Sequence, residues 1–591
     1  MDFRTQVKTT ELLVKLIKGE GKQVPLPKSE KVKRMKDTIS YKPLERKIPE
    51  MVGESSTILS SFLEDMTSKK QFCLHGLMVV KDGSVILETG FSPYKVDGKH
   101  ISHSLCKSVT ALGIGALITD KKLSLDELLM DIFGDEKGIR FTGKRKQITV
   151  RHLLMMSSGI SFRELDSLFH KDWIKECINS HILFEAGTKF DYNSMNTYLL
   201  AAIVWKKTGK GLLEYLSERI FSHLGITDLV WETCPKGIEK GGWGLHLTME
   251  DMAKIGILYM QKGKWQGKQI ISEHYMNEAI DKHMETPTVF SQYGYGYQLW
   301  LCEENGTFQL NGMFGQNVFV FPSRNTVVVT TSGATNYFPE SELFHTVMKY
   351  FTTKKREQLE EQCQFQKTKD AGEQLQVQCQ NQMYGNGQKA IDKSQKIAKE
   401  YENDIKGICK ETYIFEQQQM SILPLFLQMM YGTYGAGIRK LRIGQIKNNE
   451  LELAVCEDKQ IQKIVVGMKN PVYGKYCIGK EEYSIGCFGT WCINEDDILV
   501  LKVTICFVET SHTRVLYFYC EDGELTVCAK EEPSFLKLVD GAMTQIAPIQ
   551  ADKVVKLATT IGDLEYTKYC LQKMAEPTVT CHKSKSRKDK K

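Results

Sequence analysis

Alternating and helix-spaced apolar residues predict where the first ordered region of the chain lies. Residues 76–88 hold two strand-like runs joined by Asp82-Gly83, a pattern typical of a β-hairpin. A long, mostly apolar run over 108–118 predicts a buried helix, and residues 318–331 predict two further strands joined by a turn. Because helices separate the early hairpin from the late strands, we expect an α+β domain over 51–352 whose antiparallel sheet uses both ends of the segment.

The pattern changes twice after this domain. Residues 353–420 are rich in Gln, Lys and Glu, which predicts a charged helical linker. Short alternating segments return within 421–545, separated by turn residues such as Asn448-Asn449, so we expect a second, all-β domain of barrel or sandwich type. Residues 1–50, with 13 Lys and Arg against 7 Asp and Glu, are interpreted as a basic arm, and residues 546–591 as a C-terminal segment with a basic tail.

Composition narrows the class of protein. The chain has 591 residues, 42% of them hydrophobic and 25% charged, as in a globular protein of two or more domains. A net charge of +6 predicts neither nucleic acid nor membrane as a partner, and no segment reaches the roughly 18 apolar residues of a membrane span. The 17 cysteines form no zinc-type pairs, and the first residues lack the apolar core of a secretory signal. We therefore expect a cytoplasmic protein with reduced thiols and no metal site.

A serine and a lysine at the start of the apolar run are the first candidates for chemistry. Ser104 and Lys107 are three residues apart, so on a helix they share a face, and a serine at a helix start lies where backbone N–H groups are unpaired. A nucleophilic hydroxyl needs a base and donors for the oxyanion, and this segment supplies the base and one donor. The same Ser-x-x-Lys spacing at Ser92 and Ser534 precedes no such run. A helix cap beside a solvated lysine is the alternative interpretation of Ser104.

Two later segments hold residues that a nucleophilic serine would need. Tyr192 precedes an apolar helix, where a phenol beside a lysine ammonium can shuttle protons; a tyrosine packed in the core is the alternative. Gly312 lies next to a predicted inner strand and permits close approach of the backbone to a ligand; an ordinary turn is the alternative.

In this order, the three segments resemble the motifs of the serine β-lactamase-like superfamily. That superfamily includes penicillin-binding proteins, class C β-lactamases, related esterases, D-aminopeptidases and 6-aminohexanoate-dimer hydrolases. The resemblance covers about 51–350, with further matching stretches at 74–83, 149–159 and 241–254. It implies a β-lactamase-like fold, with an antiparallel sheet and a helical subdomain, and a serine hydrolase that needs no metal or other cofactor. The C-terminal β domain is similar to the lipocalin-like modules of some members.

The resemblance also implies roles for individual residues. Ser104 would be the nucleophile that forms an acyl-enzyme, Lys107 its partner base, and Tyr192 the proton shuttle to the leaving group. The backbone N–H groups of Ser104 and of Met313, which follows Gly312, would bind the oxyanion.

Two departures from the family pattern bear on the substrate. Members often have Tyr-Ser-Asn where this chain has Tyr-Asn-Ser, so Asn193 or Asn196 would replace the usual amide. The Lys-Thr-Gly motif of β-lactamases and transpeptidases is Leu310-Asn311-Gly312 here, which leaves no cation for a substrate carboxylate and makes Asn311 a candidate binding residue. We therefore expect an esterase or amidase that acts on an uncharged small-molecule ester or amide rather than on penicillin.

Two other functions stay open at this point. One is a non-catalytic binding or regulatory protein that retains the fold, although an intact Ser104, Lys107 and Tyr192 favours an enzyme. The other is a D-amino-acid peptidase, which the missing strand lysine disfavours. The oligomeric state is not predicted by the sequence.

Overall fold

The chain folds into two compact units. A computed structural model describes Glu11, Lys15, Pro27 and residues 32–35, 40–335, 338–363, 388–416, 420–457, 460–521, 524–538 and 564–584. The first unit consists mainly of 27–90 and 95–381, and the second mainly of 91–94 and 382–591. Residues 546–563 and 585–591 of the predicted C-terminal segment lie outside the described residues.

A seven-stranded sheet forms the centre of the first unit. The predicted hairpin is present, and its turn places Asp82 and Gly83 in the left-handed region (φ 50° and 75°), which an Asp-Gly pair adopts readily. Neighbouring strands are antiparallel except for the edge strand Glu45–Arg46, which runs parallel to its neighbour. In spatial order the strands are Trp300–Leu301, Phe308–Gly312, Gln316–Phe321, Thr326–Ser332, Leu74–Lys81, Ser84–Gly90 and Glu45–Arg46. Both ends of the segment therefore build the sheet, as predicted.

Side chains along strand Gln316–Phe321 point alternately to the two faces of this sheet, and helices cover both faces. Val318 faces helix Met249–Met260, where a Cβ on Gly256 would lie only 2.6 Å from the valine Cγ1. Phe319 points to the opposite face and packs on Phe344 of helix Glu342–Phe351. Successive residues of a strand point to opposite faces, so the stretch 318–321, which is covered on both sides, is apolar at every position.

The helical part of the first unit surrounds two buried helices, Cys106–Thr119 and Ser194–Thr208. Each is buried over most of its length, so neither shows a polar stripe. The α+β fold with a helical subdomain is confirmed. The other helices of this unit are Ser56–Ser68, Leu129–Phe133, Val150–Leu154, Glu164–Ser167, Trp173–Asn179, Leu212–Leu216, Ser222–Leu224, Met249–Met260, Glu273–Ile280, Glu342–Phe351 and Thr353–Cys363.

A small four-stranded sheet leads the chain into the helical part. Its order is Val32–Arg34, Val230–Glu232, Leu245–Leu247 and His100–Ile101. Strand His100–Ile101 ends three residues before Ser104, so this sheet fixes where the serine segment begins.

Part of the predicted basic arm is built into the first unit. Lys254, whose side chain is fully buried, donates to the Lys42 carbonyl at 2.6 Å, and Glu250 accepts from the Leu44 N–H at 2.7 Å. Arg46 Nη2 lies 2.6 Å from Glu250 Oε2. A buried lysine and glutamate on helix Met249–Met260 therefore hold residues 42–46 as a strap, instead of leaving them solvated.

The second unit is dominated by a ten-stranded sheet. Nine strands close into a barrel through a pairing between Gly467 and Phe488, so the predicted barrel-like domain is confirmed. The predicted limits of this domain, 421 and 545, leave out two of its strands, which lie at 412–415 and 578–583. In spatial order the strands are Gln460–Gly467, Glu450–Glu457, Ile438–Lys447, Thr412–Phe415, Thr578–Lys583, Glu524–Glu532, Thr513–Glu521, Leu499–Phe507, Glu481–Ile493 and Val472–Ile478.

Helices accompany the barrel. Ile397 of helix Gln388–Glu400 and Ile405 of helix Glu402–Ile408 join its hydrophobic core, so this part of the predicted linker is packed. Two further helices of the second unit are Leu425–Tyr431 and Leu564–Ala575. Within the described parts of the chain, no helix has both the length and the apolar character needed to cross a membrane.

Candidate active site

Ser104 lies in a tight turn between a strand and a buried helix. The turn His103–Leu105 follows strand His100–Ile101 and runs directly into helix Cys106–Thr119. His103 has a φ of 46°, an uncommon value for a residue with a side chain, and its ring packs edge-on against Phe314 at 5.2 Å. Backbone strain of this kind costs about 1–3 kcal/mol and concentrates at functional sites. The strained turn holds Ser104, which is partly exposed, at the start of the helix.

Lys107 is buried against Ser104. Its Nζ donates to Ser104 Oγ at 2.8 Å and to the Gly242 carbonyl at 2.8 Å, and the residue is only 1% exposed. The helical spacing of three residues brings the two side chains onto one face, as predicted. A lysine in hydrogen-bond contact with a hydroxyl can take the hydroxyl proton when its amine is neutral.

The Gly242 carbonyl can reach Lys107 because Gly241 and Gly242 have no side chains. A Cβ on Gly242 would lie 3.0 Å from both Cβ and the carbonyl oxygen of Ser194, and one on Gly241 would lie 2.8 Å from the Thr197 carbonyl. The Gly241 carbonyl in turn accepts from Thr110 Oγ1 at 2.8 Å on the helix that carries Lys107. The two glycines thus fit between the two buried helices.

Tyr192 is placed beside Lys107 by the turn before helix Ser194–Thr208. Lys107 Nζ lies 5.1 Å from the centroid of the Tyr192 ring, within the range of a cation–π contact. Arg163 fixes the backbone at this point, since its Nη1 donates to the Tyr192 carbonyl at 3.0 Å and its Nη2 contacts both carboxylate oxygens of Asp191 at 2.6 and 2.8 Å. The structure therefore brings the three predicted catalytic residues together.

The two asparagines after Tyr192 are occupied by protein groups. Asn193 caps helix Ser194–Thr208 by accepting from the Met195 N–H at 2.9 Å, and its amide donates to two backbone carbonyls at 160 and 162, each at 2.9 Å. Asn196 is 1% exposed and accepts from Ser158 Oγ at 2.5 Å. This geometry argues against the predicted substrate-binding role of both residues. The signal was present in the sequence, because an asparagine before an apolar helix is a common N-cap.

The predicted second half of the oxyanion site approaches the serine turn through Gly312. A Cβ on Gly312 would lie 2.2 Å from the Ser102 carbonyl and 3.2 Å from the Leu105 nitrogen, so only a glycine permits this contact. Met313, the next residue, is thereby brought next to the turn. Asn311 is half-buried and donates to Asn317 Oδ1 on the adjacent strand at 2.6 Å.

Glu164 is a charged neighbour of the site that the sequence did not single out. Its Oε1 accepts the backbone N–H of Ser194 at 2.9 Å, at the first turn of the helix that follows Tyr192. Burial alone would raise the pKa of the Glu164 carboxyl, but hydrogen bonds from Ser194 and the charge of Lys107 outweigh it and hold that pKa below its ordinary value. Glu164 is therefore ionised at neutral pH. Because it is 57 residues from Lys107 in the chain, no local spacing indicated it.

Two further observations concern the binding of a substrate carboxylate and of a metal ion. Leu310, at the position of the motif lysine, is fully buried in the core. Among the residues that the structure describes, no group of three or more His, Cys, Asp or Glu is arranged to hold a metal ion.

Several known proteins are similar to this chain in sequence or in structure. Residues 73–344 match the sequence model of the Beta-lactamase family. A 6-aminohexanoate-dimer hydrolase of Paenarthrobacter ureafaciens is 23% identical over 314 residues, which cover 46% of this chain and 76% of that protein. A monacolin J acid methylbutanoyltransferase of Aspergillus terreus is 28% identical over 135 residues, covering 20% of this chain and 32% of that protein. The solved penicillin-binding protein homologue of Pyrococcus abyssi is 16% identical, with a TM-score of 0.41 and coverage of 80% of this chain and 97% of that one.

Proposed function

Because residues 73–344 form a domain of the Beta-lactamase family, we propose that this protein is a serine hydrolase that cleaves an ester or amide through an acyl-enzyme on Ser104. The observation that carries the proposal is the 2.8 Å contact between Lys107 Nζ and Ser104 Oγ, made by a lysine that is 1% exposed. A buried base that contacts a partly exposed hydroxyl is the arrangement that activates a serine nucleophile.

The chemistry begins with attack of Ser104 Oγ on the substrate carbonyl carbon. The hydroxyl proton passes to Lys107 as the neutral amine, or to Tyr192 as the phenolate, and the carbonyl π electrons move onto oxygen. The backbone N–H groups of Ser104 and Met313 hold this oxyanion, and such a donor typically contributes about 3 kcal/mol in the transition state. Collapse of the intermediate breaks the bond to the leaving group, which takes its proton through Tyr192. Water then attacks the acyl-enzyme, releases the acid and returns the proton to Ser104.

The charges around the site favour an acyl group without a carboxylate. Leu310 supplies no cation at the strand, and Arg163 is neutralised by Asp191. The ionised Glu164 adds a negative charge near Lys107. These charges give an anionic acyl group little attraction, so we infer an uncharged ester or amide rather than a penicillin.

We also propose a reducing compartment, the cytoplasm, as the place of action. Fourteen of the cysteines whose side chains the structure describes, those other than Cys73, are free thiols, and several of them are partly exposed. Exposed thiols persist where glutathione keeps them reduced.

Labelling of the serine tests the proposed function. A fluorophosphonate probe should react with the wild-type protein, and tandem mass spectrometry should place the adduct on Ser104. The Ser104→Ala variant should show neither labelling nor hydrolysis of p-nitrophenyl esters. Ser108 is a matched control, because it lies one helical turn further on and donates to the Gln298 carbonyl at 2.6 Å; Ser108→Ala should still be labelled. Labelling that survives in Ser104→Ala contradicts the assignment, as does a wild-type protein that neither reacts with the probe nor hydrolyses the esters.

A further inference from the structure

The ring of Tyr192 is part of an aromatic cluster. Trp300 stacks on it with ring centroids 5.6 Å apart and an angle of 27°, and Phe290 lies 6.3 Å away at 31°. Phe290 and Trp300 also contact each other at 6.1 Å, so the three rings form a closed triangle. Phe190 completes the cluster at 6.5 Å from Tyr192. We call Tyr192, Phe290, Trp300 and Phe190 the aromatic wall.

One side of the aromatic wall is buried and the other is only partly covered. Trp300 is 4% exposed and is backed by Tyr295, which is fully buried. Phe190, Tyr192 and Phe290 are only half-buried, so parts of their rings face solvent. Adjacent aromatic rings at the edge of a core are a common feature of binding sites for small organic groups.

Space for a ligand adjoins the aromatic wall. A cleft of about 490 Å³ is lined by residues 188–190 and 283–287, and it shares Phe190 with the wall. Met284 lines the cleft and also packs against the same aromatic cluster. The volume is within the range of pockets that hold small organic groups, and the cleft is open to solvent, with charged as well as apolar side chains along it.

We propose that the aromatic wall is the subsite for the leaving group and selects esters and amides whose alcohol or amine part is apolar, in particular aromatic. This inference rests on the proposed function, in which Tyr192 passes a proton to the leaving group. A proton donor must lie within hydrogen-bond reach of the atom it protonates. The group attached to that atom therefore lies against the rings that surround Tyr192. Offset or edge-to-face contacts with those rings, and removal of apolar surface from water, stabilise an aromatic group there.

The test compares two acetate esters, benzyl acetate and 2-methoxyethyl acetate, with the full-length protein. Their leaving alcohols have similar acidity but differ in apolar character, and both give the same acetyl-enzyme. The ratio of their kcat/KM values therefore reports only the acylation step, in which the leaving group is still present. We expect a ratio of at least about 10 in favour of the benzyl ester.

Three variants assign this preference to the wall. Phe290→Ala should lower the ratio about five- to tenfold, and Phe290→Leu, which keeps apolar bulk, should lower it less. Tyr293→Ala is the matched control, because Tyr293 lies in the same loop but packs on Phe344; its ratio should equal that of the wild type. Benzyl alcohol should also inhibit the wild-type enzyme more strongly than 2-methoxyethanol, a measurement that needs no variant.

The outcomes separate this inference from the proposed function. Ser104-dependent hydrolysis of both esters with a ratio near 1 overturns the leaving-group subsite and leaves the serine hydrolase standing. A wild-type preference that Phe290→Ala does not change, in a variant that folds, also overturns it. Absence of Ser104-dependent hydrolysis of either ester overturns the proposed function and this inference with it.

Discussion

Glu164 combines a structural contact with a charge that faces the site. Its Oε1 accepts the Ser194 N–H, one of the backbone donors that a helix start leaves unpaired, and an anion at that end is also favoured by the helix dipole. The carboxylate lies close enough to Lys107 for the lysine to lower its pKa. Two substitutions separate these contributions, since glutamine keeps an oxygen acceptor and leucine does not.

We predict that Glu164→Leu lowers the free energy of unfolding by about 1–2 kcal/mol, the usual effect of losing a capping acceptor. Glu164→Gln should lower it by less than half of that, because its amide oxygen can still accept the Ser194 N–H. Urea denaturation of both variants measures the difference. Equal losses in the two variants would mean that the charge, and not the hydrogen bond, stabilises the helix start.

At the scale of elements, the site depends on how closely strand Phe308–Gly312 approaches the turn His103–Leu105. The contact leaves no room for a methyl group at Gly312, whose Cβ would lie 2.2 Å from the Ser102 carbonyl. Gly312→Ala should therefore displace the strand end and with it the Met313 N–H. We predict a loss of roughly 100-fold or more in kcat, the usual effect of losing one oxyanion donor.

Steady-state kinetics with a p-nitrophenyl ester and thermal unfolding together check the Gly312→Ala prediction. Gly474→Ala is the control for a strand glycine with space around it, because the nearest atom to its Cβ would be Ile485 Cγ1 at 4.0 Å. That variant should keep wild-type kcat. If Gly312→Ala also keeps it while folded, the strand end does not contribute to the oxyanion site.

Elements with a strong local pattern were predictable, and contacts between distant segments were not. The spacing of Ser104 and Lys107 was sufficient to place them together, because helical geometry alone brings residues three apart onto one face. Glu164 begins a four-residue helix and Arg163 directly precedes it, but their contacts are with a segment about 30 residues later. The family resemblance assigns Asn193 to substrate, whereas its position before an apolar helix is typical of the N-cap that the structure shows.

At the scale of the whole molecule, the sequence predicted two folded regions but not the ends of the barrel. Strands 412–415 and 578–583 are short, and they pair with each other although about 160 residues separate them. Pairings this distant are specified by the tertiary fold rather than by local alternation, so sequence periodicity could not identify them. The same barrel contains buried charges that its apolar pattern did not indicate.

The second unit contains a buried charged pair, Glu531 and Arg514. Glu531 is fully buried and accepts the Leu425 N–H at 2.7 Å, and Arg514 Nη1 lies 3.7 Å from its carboxylate. The Arg514 guanidinium also donates to the carbonyls of Ser421, Leu423 and Ala575. Burial is the main cause that raises the pKa of Glu531 to about 7; the charge of Arg514 opposes this shift and that of Glu576 adds to it.

This raised pKa gives the barrel a definite pH dependence. An unfolded glutamate titrates near its ordinary pKa of 4.5, so between that value and about 7 the folded state binds more protons than the unfolded one. The contribution of Glu531 to stability is therefore fully present below pH 4.5 and is lost as the pH rises through 7. Glu531→Gln, which is uncharged at every pH, should remove this loss.

Hydrogen exchange of the amides in strand Glu524–Glu532 measures the effect in the full-length protein. Comparing wild type with Glu531→Gln at the same pH cancels the intrinsic pH dependence of exchange. We predict that the wild-type strand loses protection relative to the variant as the pH is raised from 5 to 8. Parallel behaviour of the two proteins over that range would show that Glu531 stays protonated, or that Arg514 compensates its charge fully, and would contradict the prediction. Because the strand pairs with Thr513–Glu521 and Thr578–Lys583, the change should extend to both neighbours.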